Sequence, residues 1–175
     1  MLLVFSCAKR EDETLQEYMA TKSQAPDYMA VDFDPSMFKS AVNNLSTSEE
    51  NALKGIEKLN VVAYHADSIP PAFYKSETER IKKFLKDPQY QELMHVSTGK
   101  DGGSVSFVGD EKHIDELVIF GKHHENGFAV VRVIGKDMKP ETVVSLLKVI
   151  RERGLGIKEL QPIQQAVDPT RTFKG

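Results

Sequence analysis

The chain has 175 residues, 40% of them hydrophobic and 28% charged, with a formal net charge of -3. Such a length supports one globular domain with its own core, without cross-links. The mildly acidic balance lacks the basic field that nucleic acid requires, and the single cysteine excludes both an intramolecular disulfide and a cysteine-built zinc site.

The chain opens with the apolar run Met1-Leu2-Leu3-Val4-Phe5, then Ser6 and Cys7, and turns polar at Ala8-Lys9-Arg10-Glu11-Asp12-Glu13. Apolar residues, a small residue, a cysteine and then charges resemble the end of a bacterial lipoprotein signal. Cys7 would take the diacylglycerol and supply the membrane anchor. The run lacks a basic start and a full apolar stretch, so a short apolar strand with an ordinary buried Cys7 is the alternative. Lys9 to Glu13 is a solvated charge cluster by default. It also resembles the stretch that sends some Bacteroidetes lipoproteins to the cell surface. Residues 1–27 are expected to be a signal remnant and polar tether, 28–154 the domain, and 155–175 a loose tail.

Tyr28 to Phe33 alternates as a strand, and Asp34-Pro35 then suits the N-cap and first turn of a helix carrying Met37, Phe38, Ala41, Val42 and Leu45. Thr47 with Glu50 forms a capping-box pattern for a second helix with the stripe Leu53, Ile56 and Leu59. Val61 to Tyr64 reads as a buried strand. Ser68 with Pro70-Pro71 opens a helix with Phe73, Ile81, Phe84 and Leu85 inward, ended by Asp87-Pro88. From Leu93 the period becomes two. Leu93 to Thr98, Ser104 to Val108, Ile114 to Phe120 and Phe128 to Ile134 are expected strands. Gly99 to Gly103 links the first pair, and Asn126-Gly127 suggests a type I′ hairpin in the second. Pro140 opens a last helix with Val143, Leu146, Leu147 and Ile150 on one face, closed by Gly154. The expected class is α+β, in the order β-α-α-β-α-β-β-β-β-α, with a four-strand antiparallel meander and helices packed on one face.

Motifs for chemistry fail stated requirements. His124-Glu125 starts like H-E-x-x-H, but Phe128 stands where histidine is needed and the segment is a turn, not a helix. His123 and His124 with Glu125 offer ligand atoms, yet neighbours on an extended strand point to opposite faces, so no metal site is assigned. His65, His95 and His113 read as solvated or hydrogen-bonded histidines. Gly102-Gly103-Ser104-Val105-Ser106 lacks the last glycine and the helix of a hydrolase elbow, and Gly99 to Gly103 is no P-loop. Asp32 and Asp34 share a strand face, with capping the better role for Asp34. Glu77, Glu79 and Arg80 read as a solvated helix face. No catalytic residue and no cofactor are expected, and Gly102, Asn126 and Gly127 mark hairpin tips as candidate contact points.

Val31-Asp32-Phe33-Asp34-Pro35-Ser36-Met37-Phe38, Ile56 to Tyr64, Tyr90-Gln91-Glu92-Leu93-Met94-His95-Val96, Ile114 to Phe120 and Val130 to Gly135 together resemble domain of unknown function 4252, found in small envelope proteins of Bacteroidetes. The resemblance spans about Tyr28 to Ile150 and rests on order and spacing. It implies secretion or lipoprotein signals and, through genes neighbouring extracytoplasmic-function sigma factors, envelope signalling by protein contact. It supplies no catalytic residue. The expectation is an outer-membrane-anchored, non-catalytic lipoprotein of the cell envelope that binds an envelope protein, on the periplasmic or surface side. The rival is a small enzyme or ligand carrier with a pocket between sheet and helices.

Overall fold

The structure, a computed structural model, describes residues 13–34, 36, 44–64, 69–153 and 160–166. The elements run α1 (Leu15–Lys22), β1 (Tyr28–Phe33), α2 (Thr47–Leu53), β2 (Ile56–Tyr64), α3 (Pro71–Phe84), β3 (Gln91–Thr98), β4 (Asp101–Gly109), β5 (Ile114–His123), β6 (Gly127–Met138), α4 (Pro140–Arg153) and α5 (Gln161–Ala166). One six-stranded sheet has the order β1-β2-β6-β5-β4-β3, with every neighbouring pair antiparallel. The α+β class and the meander β3 to β6 are as expected. The helix expected after Asp34-Pro35 lies largely outside the described residues. Among the described residues, Asp34 Oδ1 accepts from the Ser36 N–H at 2.7 Å, the bond an N-cap aspartate makes.

Helices cover both faces of the sheet, not one. Adjacent residues in the central strands are buried in opposite directions. Val61, Ala63, Ile119, Val131 and Val133 join Leu53, Leu146, Ile150, Leu160 and Ile163 on one side. Val62, Tyr64, Phe120, Phe128 and Val130 join Leu15, Tyr18, Met19 and Ile81 on the other. Apolar runs such as Val61 to Tyr64 are therefore strands buried twice, and each face requires its own cover.

Two corrections concern the segment 46–59. The capping box uses Ser46 and Glu49, one residue earlier than expected: Ser46 Oγ accepts from Glu49 N–H at 3.2 Å, and Glu49 Oε2 accepts from Ser46 N–H at 2.8 Å. Both registers fit the pattern, but Glu49 also reaches Lys148 Nζ on α4 at 3.3 Å. The helix then stops at Leu53, and Ile56 and Leu59 belong to β2. A bulge between Ile56 and Lys58 puts both residues in one core although they are three apart. A bulged strand thus imitates a helical stripe.

The packed region extends into both segments read as tether and tail. On α1, Leu15, Tyr18 and Met19 are buried. On α5, Ile163 is fully buried, as is Leu160 just before the helix. Gly121 on β5 permits this seat, since a Cβ there would lie 2.6 Å from the Ile163 backbone.

A carboxylate pins α1. Glu77 is buried on α3, contrary to the solvated face expected, whereas Glu79 is exposed and pairs with Lys82. Glu77 Oε2 accepts from Tyr28 OH at 2.7 Å and Tyr18 OH at 2.8 Å, and lies 2.7 Å from Lys22 Nζ. Arg80 stands 3.6 Å from Glu77 Oε1 and also pairs with Glu13. Burial raises the Glu77 carboxyl, but the Lys22, Tyr28 and Tyr18 hydrogen bonds outweigh it and hold the pKa below its ordinary value. Burial also pushes the Tyr18 and Tyr28 hydroxyls up, so both remain donors.

Two outcomes follow. Because the folded-state pKa of Glu77 is depressed, its contribution is complete above the ordinary glutamate range and is lost as pH falls through the lower folded value. Glu77→Gln is expected to cost about 2–3 kcal/mol at neutral pH. In urea titrations the gap to the native protein closes with acidification; a gap independent of pH would reject the ion-pair account. Gly121→Ala is expected to cost about 2 kcal/mol, because backbone and not a pliable side chain must yield. An unchanged urea midpoint would show that α5 does not seat on β5.

Candidate functional site

Two hairpins end side by side at one edge of the meander. Thr98 pairs with Asp101 around the two-residue turn Gly99-Lys100, in which Gly99 has φ +71°, as a type II′ turn requires. His123 pairs with Gly127 around His124-Glu125-Asn126, and Asn126 N–H donates to His123 C=O at 3.2 Å. Gly127 has φ +89°, while Asn126 is not among the residues with positive φ. The loop is therefore a three-residue turn closed by a left-handed glycine, not the expected two-residue type I′ turn.

Of the three candidate contact points, Asn126 is exposed, and Gly102 and Gly127 are buried. A Cβ on Gly102 would fall 2.2 Å from Val96 C=O, and one on Gly127 2.8 Å from Tyr64 C=O. Both glycines permit a close backbone approach that a Cβ would block. Cys7 and His65 lie outside the described residues.

The β4–β5 pairing sets Gly102 opposite Lys122 and so brings the two tips together. Asp101 Oδ1 accepts from the His124 N–H at 2.8 Å and lies 2.8 Å from His124 Nδ1. Its Oδ2 is 3.6 Å from His123 Nε2. The two imidazoles stack with centroids 5.0 Å apart and planes 26° apart. Strand alternation would separate them, but β5 ends at His123 and the chain turns at His124. The two rings therefore share one side of the tip, and one ligand atom each from Asp101, His123 and His124 lie within 4.8 Å of one another.

The tip is also tied to α3. Lys100 C=O accepts from Tyr74 OH at 3.0 Å and from Lys122 Nζ. Burial raises the Asp101 carboxyl, and the His124 backbone and side-chain hydrogen bonds lower it further than that, leaving it below its ordinary value. Burial, aided by Lys82, pushes the Lys122 ammonium down against the pull of Asp101 and Glu79. The arrangement can bind a cation or share a proton between carboxylate and imidazole.

The remaining candidates sit apart. His95 faces Glu92 at 3.4 Å and His113 faces Asp110 at 3.3 Å, all four side chains exposed. Asp32 accepts from Asn60 across the β1–β2 ladder. Ser104 and Ser106 are buried within β4, without the strand-to-helix turn of a hydrolase elbow. Sequence reasoning missed the convergence of Asp101 with the histidines. The available signal was the meander itself, which places the first and third hairpin tips at one end of the sheet.

No helix among the described residues is long and apolar enough to cross a membrane. No curated protein and no solved structure matches the chain. The family model described as Domain of unknown function (DUF4252) matches residues 18–146, from the Tyr18 that holds Glu77 to the Leu146 in the core of α4. That match covers well over half of the sequence, and the chain belongs to the DUF4252 family.

Proposed function

We propose that this chain is an envelope lipoprotein, anchored through Cys7, whose domain is a non-catalytic protein-interaction module in envelope signalling. The observation that supports it most is the disposition of the sheet. Over the central strands both faces are filled by core side chains, so recognition falls to the sheet margin and the hairpin end. Among the described residues β3 has no partner on its outer side. Its first half is blunted by a bulge at Leu93, but Met94 to Thr98 pairs regularly. Thr98 and Asp101 close a two-residue hairpin, so alternation turns the backbone groups of Ser97 and His95 outward, where a partner strand adds by main-chain hydrogen bonds.

With α1 starting at Leu15, seven residues separate it from Cys7. Fully extended, they span at most about 25 Å. The anchor would thus hold the domain close to the bilayer, which raises its effective concentration toward other membrane-bound proteins. A ligand carrier is the second reading. It draws on a groove of about 430 Å³ beside α1, lined by Asp32, Lys58, Asn60 and Arg132 among others.

Palmitate labelling of the native protein is expected, and loss of label in Cys7→Ala; label that persists in the mutant, or is missing from both, rejects the anchor. Ser97→Pro removes an outward N–H while sparing the inward ladder. It should keep the native thermal midpoint yet lose the cross-linked envelope partner recovered with the unaltered chain. Equal recovery would exclude strand addition at β3.

A further inference from the structure

We propose that Asp101, His123 and His124 bind one divalent transition-metal ion of the zinc class. The donor set is two imidazole nitrogens and one carboxylate oxygen, which suits borderline cations such as Zn²⁺ rather than Mg²⁺ or Ca²⁺, whose ligands are oxygens. Bonds of about 2.0–2.1 Å in a tetrahedral site set neighbouring ligand atoms about 3.3 Å apart. The carboxylate stands 2.8 Å from His124 Nδ1 and 3.6 Å from His123 Nε2, on either side of that value. The widest ligand separation is within 4.8 Å, and the half-exposed His124 ring has room to turn toward the other two ligands.

The site is prepared before any ion arrives. Asp101 is oriented by the His124 backbone N–H, and its hairpin is held to α3 through Tyr74 and Lys100. The histidine rings are already stacked. Little ordering remains to oppose binding, the usual benefit of a supporting shell. To ligate, His124 Nδ1 must present its lone pair in place of the contact with Asp101 Oδ1: a neutral ring then holds its proton on Nε2, and a protonated ring releases one proton to solvent. Charges around the site are mixed. Lys122 on β5 interacts electrostatically with Asp101, and Lys82 on α3 with Lys122. Against them stand Glu79 on α3 and Glu125, whose Oε1 is 3.9 Å from His124 Nε2. Exposure of His124 leaves a coordination position for water or for a donor from another molecule.

Titration calorimetry of the metal-free full-length chain with Zn²⁺ tests this, in a Cys7→Ser background so that the thiol does not compete. One ion per chain is expected. Asp101→Asn, His123→Gln and His124→Gln should each weaken binding at least about tenfold, whereas His95→Ala and His113→Ala leave it unchanged. Amide NMR spectra without metal establish that each variant is folded. The imidazole resonances of His123 and His124 should shift on adding Zn²⁺ to the Cys7→Ser chain, a readout that needs no further variant. No saturable heat with Zn²⁺, equal affinity in the Asp101→Asn chain, or uptake shared evenly with His95 and His113 would overturn the site.

Discussion

Burial of the central strands on both faces is the constraint that shapes this molecule. Val61 and Val62, Ile119 and Phe120, and Val130 and Val131 are consecutive pairs whose members enter opposite cores. Leaving either face open would expose several large side chains, each worth about 1.5–3 kcal/mol when buried. Two covers are therefore required, and the chain supplies them from helices near both ends and from its middle. On one side α1 and α3 close over Tyr64, Phe120 and Phe128; on the other α2, α4 and α5 close over Ile119, Val131 and Val133.

The terminal covers are attached by different physics. An eight-residue helix such as α1 has little stability of its own, and its seat depends on Tyr18, Lys22 and Glu77 as well as on apolar burial. Glu77 is tolerable inside only because two hydroxyls and an ammonium meet it. The seat of α5 is steric. Gly121 removes the side chain that would keep the helix backbone away from β5.

The same sheet geometry assembles the candidate site. Consecutive antiparallel strands return their tips to alternate ends, so the β3–β4 and β5–β6 turns meet. Interior positions are committed to packing, while the tip combines Asp101, His123 and His124 with Lys122 and Tyr74 in partial contact with water. Buried central strands, a polar cluster at one end and a β3 margin open among the described residues are the features on which the proposed recognition role rests.

Local sequence determined the strands of the meander, the α+β class and the helices opened by Pro71 and Pro140, because period-two alternation, turn glycines and proline starts are short-range signals. It also marked the hairpin turns at Gly99 and Gly127. Only tertiary structure decided that Glu77 is buried, since a glutamate on a polar helix stripe reads as solvated until Tyr18, Tyr28 and Lys22 arrive from elsewhere in the chain. It decided that Ile56 and Leu59 lie on a strand, because a bulge changes the period locally and the pairing partner sets the bulge. It decided, too, that Asp101 meets His123 and His124. That contact crosses two hairpins, and its geometry depends on where β5 ends rather than on the residues that compose it.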